Sequence, residues 1–351
     1  MKLSASPRSR PAEKMRDLAQ LPALRYLGLI AVLLLTVGAA AQSSDLVLGV
    51  WFTQIGLFLL PALILLRASN LKASSFLRLS NRIEWKLLAL VAAASCANYF
   101  FASGLMAIME QVVPEHWPRA DAAAVLEMED GLRLALLVGA VLLAAPLCEE
   151  VSFRGLVQQP LVARLNPWRG IAAAALAFSI LHMDPVGFLP RFELGLLFGW
   201  LLWRTGSLWA PILAHLVNNG VAILLYFTVG RAATPPELSE PSAWAPLIGV
   251  MLLSLAVLAP LLAVIHFLTR QKTITRADNT LERSDPKEPV GLRPGTSVLL
   301  SMFLAAALLA MVLTYLAGFI FGPPETTPPI SAGTSLLAGQ DLPVSLLYLM
   351  P

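Results

Sequence analysis

The stretch LRLALLVGAVLLAAPLCEEVSFR, residues 132–154, sets an apolar run directly against two adjacent carboxylates, Glu149 and Glu150, and a basic residue, Arg154. A helix needs about 20 mostly apolar residues to cross a bilayer. The run at 132–147 is one of nine candidates, the others lying at 26–41, 46–66, 87–109, 170–182, 188–203, 208–229, 244–268 and 297–321. Of the 351 residues, 57% are hydrophobic and 13% charged, and the mean hydropathy is +0.71. An ordinary soluble domain carries roughly 25% charged residues. Too few polar side chains remain to cover a water-facing surface, which excludes a soluble enzyme, a disordered chain and a nucleic-acid binder. The fold class expected is all-α, a polytopic integral membrane helical bundle of about 8–9 transmembrane helices.

Lysine and arginine sort onto one side of these runs. With the N-terminus taken as cytoplasmic, 21 of the 25 basic residues fall inside: in 1–25, 67–86, 154–169, at Arg204 and in 270–293. Arg119, Arg133, Arg191 and Arg231 fall outside or at outer span ends. The tail 322–351 holds Glu325 and Asp341 but no lysine or arginine, which fits an external C-terminus. The expected location is therefore the cell membrane, multi-pass.

The net charge of +3 matters less than this placement. The chain divides into a basic cytoplasmic segment (1–25), three N-terminal transmembrane helices (26–109), a polar-centred helical core (130–230), an eighth helix (244–268), a charged cytoplasmic linker (269–296), a ninth helix (297–321) and an external Pro/Thr/Ser-rich tail (322–351). The first run, with basic residues before it and small residues before Gln42, has the shape of a cleavable signal. Its long basic segment favours an uncleaved anchor. Cys96 and Cys148 both sit in apolar runs and form no disulfide framework.

Ionisable residues inside spans cost several kcal/mol and mark functional sites. One dense set is present. Glu149 and Glu150 close the fourth run, His182 closes the fifth, and His215 and Asn219 lie inside the seventh. His215 and Asn219, like Phe178 and His182, are i,i+4 and share a helix face. Glu150 and Arg154 are i,i+4 in the favourable acid-before-base order and can pair. Glu149 is about 100° further round the helix and escapes that pairing. A carboxylate withdrawn from water is a stronger base than one in solution, which suits general-base work near neutral pH. An imidazole can share the activated water, while a second imidazole and an amide donate to a developing oxyanion.

Each element alone has a plainer reading. The two glutamates could mark the end of a span, His182 could be a packing histidine, and His215–Asn219 could tie helices together. Their joint occurrence among only four histidines favours chemistry; His116 and His266 have no such company. Arg191 and Glu193 are unexpected in the sixth run, where they could pair with each other or reach a polar cavity. Gly195 and Gly199 read as a close-packing pair. Cys148 lacks a histidine on its own helix face and is a poor nucleophile candidate. No HExxH and no GxSxG occurs, and no matching transporter halves are visible.

At these positions the sequence resembles the CPBP family, which groups type II CAAX prenyl endopeptidases with bacteriocin-processing and self-immunity proteins. The likeness lies in EExxxR at 149–154, FxxxH at 178–182, HxxxN at 215–219 and the run RTGSLWAPILAH at 204–215. It covers about 130–230, under a third of the chain. The resemblance implies an intramembrane endopeptidase acting on a membrane-proximal, prenylated or lipid-anchored peptide or protein, with the bilayer as its other partner and no nucleic acid. It implies that Glu149 and His182 activate water, that His215 and Asn219 form the oxyanion site, and that Glu150 and Arg154 support them. It leaves open a metal-dependent version, in which Glu149, His182 and His215 would hold zinc. Asn219, a poor zinc ligand and a good donor, favours a reaction without a cofactor. A scaffold or immunity protein that keeps these motifs without catalysis is the alternative. By rise per residue, Glu149 and His215 fall nearer the cytoplasmic face than His182, a mismatch that a longer fourth helix would remove.

Overall fold

The computed structural model describes residues 22–114, 126–229, 241–270 and 301. They form helices α1 (Ala23–Ser44), α2 (Leu46–Ala68), α3 (Ala73–Phe76), α4 (Trp85–Val112), α5 (Gly131–Arg164), α6 (Pro167–Ile180), α7 (Phe188–Thr205), α8 (Trp209–Val229) and α9 (Pro241–Thr269). No strand occurs among the described residues. The chain is an all-α polytopic membrane protein. Six helices, α1, α2, α4, α5, α8 and the 244–269 part of α9, are long and apolar enough to cross a membrane.

Three sequence expectations change. The run 132–147 does not end at the two glutamates: α5 continues to Arg164 and is 34 residues long. The polar residues of this extension find partners inside the protein. Gln158 Nε2 donates to the Gly199 carbonyl at 3.0 Å, and Gln159 Nε2 to the Phe76 carbonyl at 2.9 Å. The runs 170–182 and 188–203 are not among the six long apolar helices. They form α6, 14 residues, and α7, 18 residues; α6 rises only about 21 Å against a hydrocarbon core of about 30 Å. The ninth span, apart from residue 301, lies outside the described residues, as do segment 1–21, most of the linker and the tail.

Four stretches of wide π-helical turns interrupt these helices, at Leu34–Gly38, Thr53–Leu59, Ala140–Ala144 and Val151–Gln158. Three of them end two residues before a proline: Pro61, Pro146 and Pro160. Proline lacks an N–H and its ring collides with the carbonyl four residues back, so the turn before it widens. The second and third of these prolines thereby put wide turns on both sides of Glu149 and Glu150.

One apolar cluster joins α1, α2, α5, α6 and α8 through Tyr26, Phe58, Phe153, Phe178 and Ile212. A second joins α4, α7, α8 and α9 through Val91, Phe198, Ala214 and Ile265. Outward, α9 exposes Leu252, Leu253 and Phe267, the surface a hydrocarbon solvent accommodates. The glycine pair in α7 does serve close approach: a Cβ on Gly195 would lie 2.9 Å from the Ala175 Cα of α6. Gly195→Val is expected to destabilise the protein by about 1–3 kcal/mol, read as a lowered thermal unfolding midpoint in detergent.

At the opposite end from the α5–α6 turn, Asp45 caps α2 by accepting from Leu48 N–H at 3.0 Å. It also takes two hydrogen bonds from the Arg133 guanidinium, each 3.0 Å. Arg133, chiefly through that hydrogen bond, holds the Asp45 carboxyl below the usual carboxylate range. A group whose folded pKa is depressed stabilises the protein above its unfolded value, about 3.9 for aspartate, and loses that contribution as pH falls through the folded value. Asp45→Asn is therefore expected to remove part of the stability change below about pH 4, measured by unfolding across that range.

Candidate active site

The α5–α6 hairpin is closed by Gly170, where a Cβ would lie 2.4 Å from the Val162 nitrogen. Glu149 precedes the end of α5, and His182 follows the start of α6, by about 22 Å each at 1.5 Å per residue. The longer α5 thus brings the two residues level. The edge-on contact of Phe153 with Phe178, centroids 5.0 Å apart, sits at the same height.

Glu149 and His182 line one cavity of about 40 Å³, together with Gln42, Thr53, Gln54 and the apolar Leu34, Val50, Phe58, Phe153 and Leu181. A water needs roughly 10–15 Å³ of such space, so the cavity is large enough to hold it. Glu149 is 4% exposed; its Oε1 accepts from Gln54 Nε2 at 2.8 Å, and its Oε2 has no hydrogen-bond partner among the described residues. His182 lies in the turn just past α6. Its Nδ1 is 2.7 Å from the Phe178 carbonyl. A carbonyl only accepts, so Nδ1 carries the proton, and in the neutral ring the lone pair falls on Nε2. This is why Phe178 and His182 must be i,i+4.

Glu150 points to the other side. Its Oε1 accepts from Arg154 Nη1 at 2.9 Å and from His215 Nδ1 at 3.0 Å. Carboxylate, guanidinium and imidazole are all fully or almost fully buried. The Arg154 guanidinium also lies over the Phe178 ring at 4.5 Å and the Phe198 ring at 5.3 Å. His215 stacks on Phe198 at 5.2 Å, which leaves Nε2 buried and without a partner among the described residues. Buried charges persist when paired and hydrogen-bonded; Glu150 Oε1 is so paired, while Glu150 Oε2 has no hydrogen-bond partner among the described residues.

The start of α8 is fixed from below. Asn81 Nδ2 donates to the Gly206 carbonyl at 2.6 Å, Ser207 Oγ to the Asn81 carbonyl at 2.7 Å, and Trp209 Nε1 to the Leu79 carbonyl at 2.9 Å. Gly206, at φ 64°, makes the left-handed turn that ends α7. One turn above His215, Asn219 donates from Nδ2 to the Val141 carbonyl of α5 at 3.0 Å.

The expected residues therefore gather as two neighbouring groups, not one. Glu149 and His182 meet at the cavity; Glu150, Arg154 and His215 form a hydrogen-bonded cluster; Asn219 braces α8 against α5. His215 and Asn219 do not line the cavity. Nor do Glu149, His182 and His215 form a metal set: among the described residues no three His, Cys, Asp or Glu side chains are grouped to hold an ion. Arg191 pairs with Asp184 at 2.6 Å rather than with Glu193, and Glu193 accepts from Asn98 at 3.0 Å. Sequence reasoning missed Gln42, Thr53 and Gln54. Their signal was polarity inside or at the edge of the first two apolar runs.

Residues 131–221 match the family described as type II CAAX prenyl endopeptidase Rce1-like. The Rce1-like stretch covers less than a third of the chain and runs from α5 into α8, holding Glu149, Glu150, Arg154, His182, His215 and Asn219. A Bacillus subtilis (strain 168) protein named "Putative membrane peptidase YdiL" is 28% identical over 102 residues, 29% of this chain and 41% of that protein. The chain thus spans about two fifths of that curated relative's length. No solved structure matches the chain. Together the Rce1-like match and the named relative support a membrane-embedded protease.

Proposed function

We propose that the chain is an intramembrane endopeptidase that hydrolyses a peptide bond in a membrane-proximal, prenylated or lipid-anchored substrate. The observation that carries this reading is the cavity lined by both Glu149 and His182 inside a membrane bundle. A buried carboxylate oxygen without a donor is expensive to keep, and a water between it and an imidazole is the species it suits.

In this reading Glu149 Oε2 takes one proton from the water as the water oxygen attacks the scissile carbonyl carbon. The C=O π electrons move onto oxygen and form a tetrahedral oxyanion. His182 Nε2 accepts the water's second hydrogen bond and fixes its direction. When the C–N bond breaks, the electron pair leaves with nitrogen, the proton passes from Glu149 to the amine, and the carbonyl re-forms as a carboxyl. His215, donating from Nε2 as an imidazolium held by the Glu150 carboxylate, and the second amide hydrogen of Asn219 are proposed as the oxyanion-side groups, with Arg154 holding Glu150. No metal takes part in this proposal, and chelator-treated protein is expected to keep its activity.

The purified protein in nanodiscs is expected to cut a lipid-anchored peptide near the bilayer, read as two product masses. Binding without cutting, unchanged by His215→Ala, is the result for a non-enzymatic scaffold and would overturn the proposal.

A further inference from the structure

Helices α1 and α2 lie outside the Rce1-like stretch, yet they build one wall of the cavity. Their backbones touch at Gly49, where a Cβ would lie 2.5 Å from the Gln42 nitrogen. That approach sets Gln42 beside Thr53, and Gln42 Nε2 donates to Thr53 Oγ1 at 3.0 Å. Gln54 follows within the wide-turn segment Thr53–Leu59 and crosses to Glu149 of α5. Gln42 is 4% exposed and Gln54 6%. Both amide oxygens, like Glu149 Oε2, have no hydrogen-bond partner among the described residues. Leaving a buried amide carbonyl unpaired costs about 1–3 kcal/mol. The Gln54 amide is thus held at its nitrogen alone, by Glu149.

We infer that Gln54, on a helix outside the Rce1-like stretch, is a positioning residue for Glu149. The amide of Gln54 holds Oε1 at 2.8 Å and leaves Oε2 for the proton transfer. The inference rests on the reading of Glu149 as the base.

The test is Gln54→Met in nanodiscs, which keeps the side-chain volume and removes donor and acceptor. The expected result is kcat lowered about 10- to 100-fold, the scale of a misplaced catalytic group, with KM changed less than about twofold and an unchanged unfolding midpoint. A packing role would move the midpoint and leave kcat alone. A second readout does not need turnover. In protein labelled with ¹⁵N at glutamine side chains, the Gln54 amide resonance, identified by its loss in Gln54→Met, is expected to shift in Glu149→Ala. Unchanged kcat in folded Gln54→Met, or an amide signal indifferent to Glu149→Ala, overturns the inference. A wild type that cuts no membrane-proximal peptide overturns the peptidase reading instead, and the amide signal then decides the Gln54–Glu149 bond by itself.

Discussion

Glu149→Gln is expected to lower kcat/KM by about 10²–10⁴-fold, the range of a general base, in a protein that stays folded. The substitution is close to isosteric and keeps an oxygen for the Gln54 amide, which now donates to it at 2.8 Å. It deletes the group that takes the proton. Glu149 is not part of the charge cluster on Glu150, so its neutral replacement leaves Arg154 and His215 with their partner. Loss of activity with an unchanged unfolding midpoint is the predicted pattern, measured on one lipid-anchored peptide in nanodiscs. Equal loss of activity and fold would assign Glu149 to structure.

Arg154→Met is expected to do the reverse, lowering stability by about 3–5 kcal/mol, the effect of stranding a buried charge. Glu150 is fully buried, and Arg154 is its guanidinium partner. The methionine fills much of the volume between Phe178 and Phe198 but leaves the carboxylate with His215 alone. Adding Glu150→Gln removes the stranded charge, so the double variant is expected to recover most of the stability. Thermal unfolding of wild type, both single variants and the double variant gives the coupling directly. A double variant as unstable as Arg154→Met would show that packing, not charge, dominates the site.

The local part of this site was legible in the chain. The i,i+4 spacing of Glu150 and Arg154 predicts their pairing, and the pair forms although wide turns begin at Val151. The 100° offset of Glu149 predicts that the two carboxylates part company. One faces Gln54 of α2 and the other His215 of α8. What sequence could not carry was tertiary. The extension of α5 past Glu149 and Glu150 depends on Gly199 and Phe76, which supply acceptors for Gln158 and Gln159. The bond from His215 to Glu150 joins residues 65 apart, and nothing in a helical repeat announces it. Gln42 opens the polar edge 42–45 of the first apolar run and Gln54 stands beside Thr53 within the second, a weak signal that gains meaning only when α1 and α2 close against α5.

The account stands most directly on one measurement, proteolysis of a lipid-anchored peptide library in water enriched in oxygen-18, with wild type and His182→Ala side by side. Water activated at the Glu149–His182 cavity puts one heavy oxygen into each new C-terminal carboxyl made by wild type, and His182→Ala yields few or no such ends. New ends formed equally by both proteins, or by neither, would contradict it.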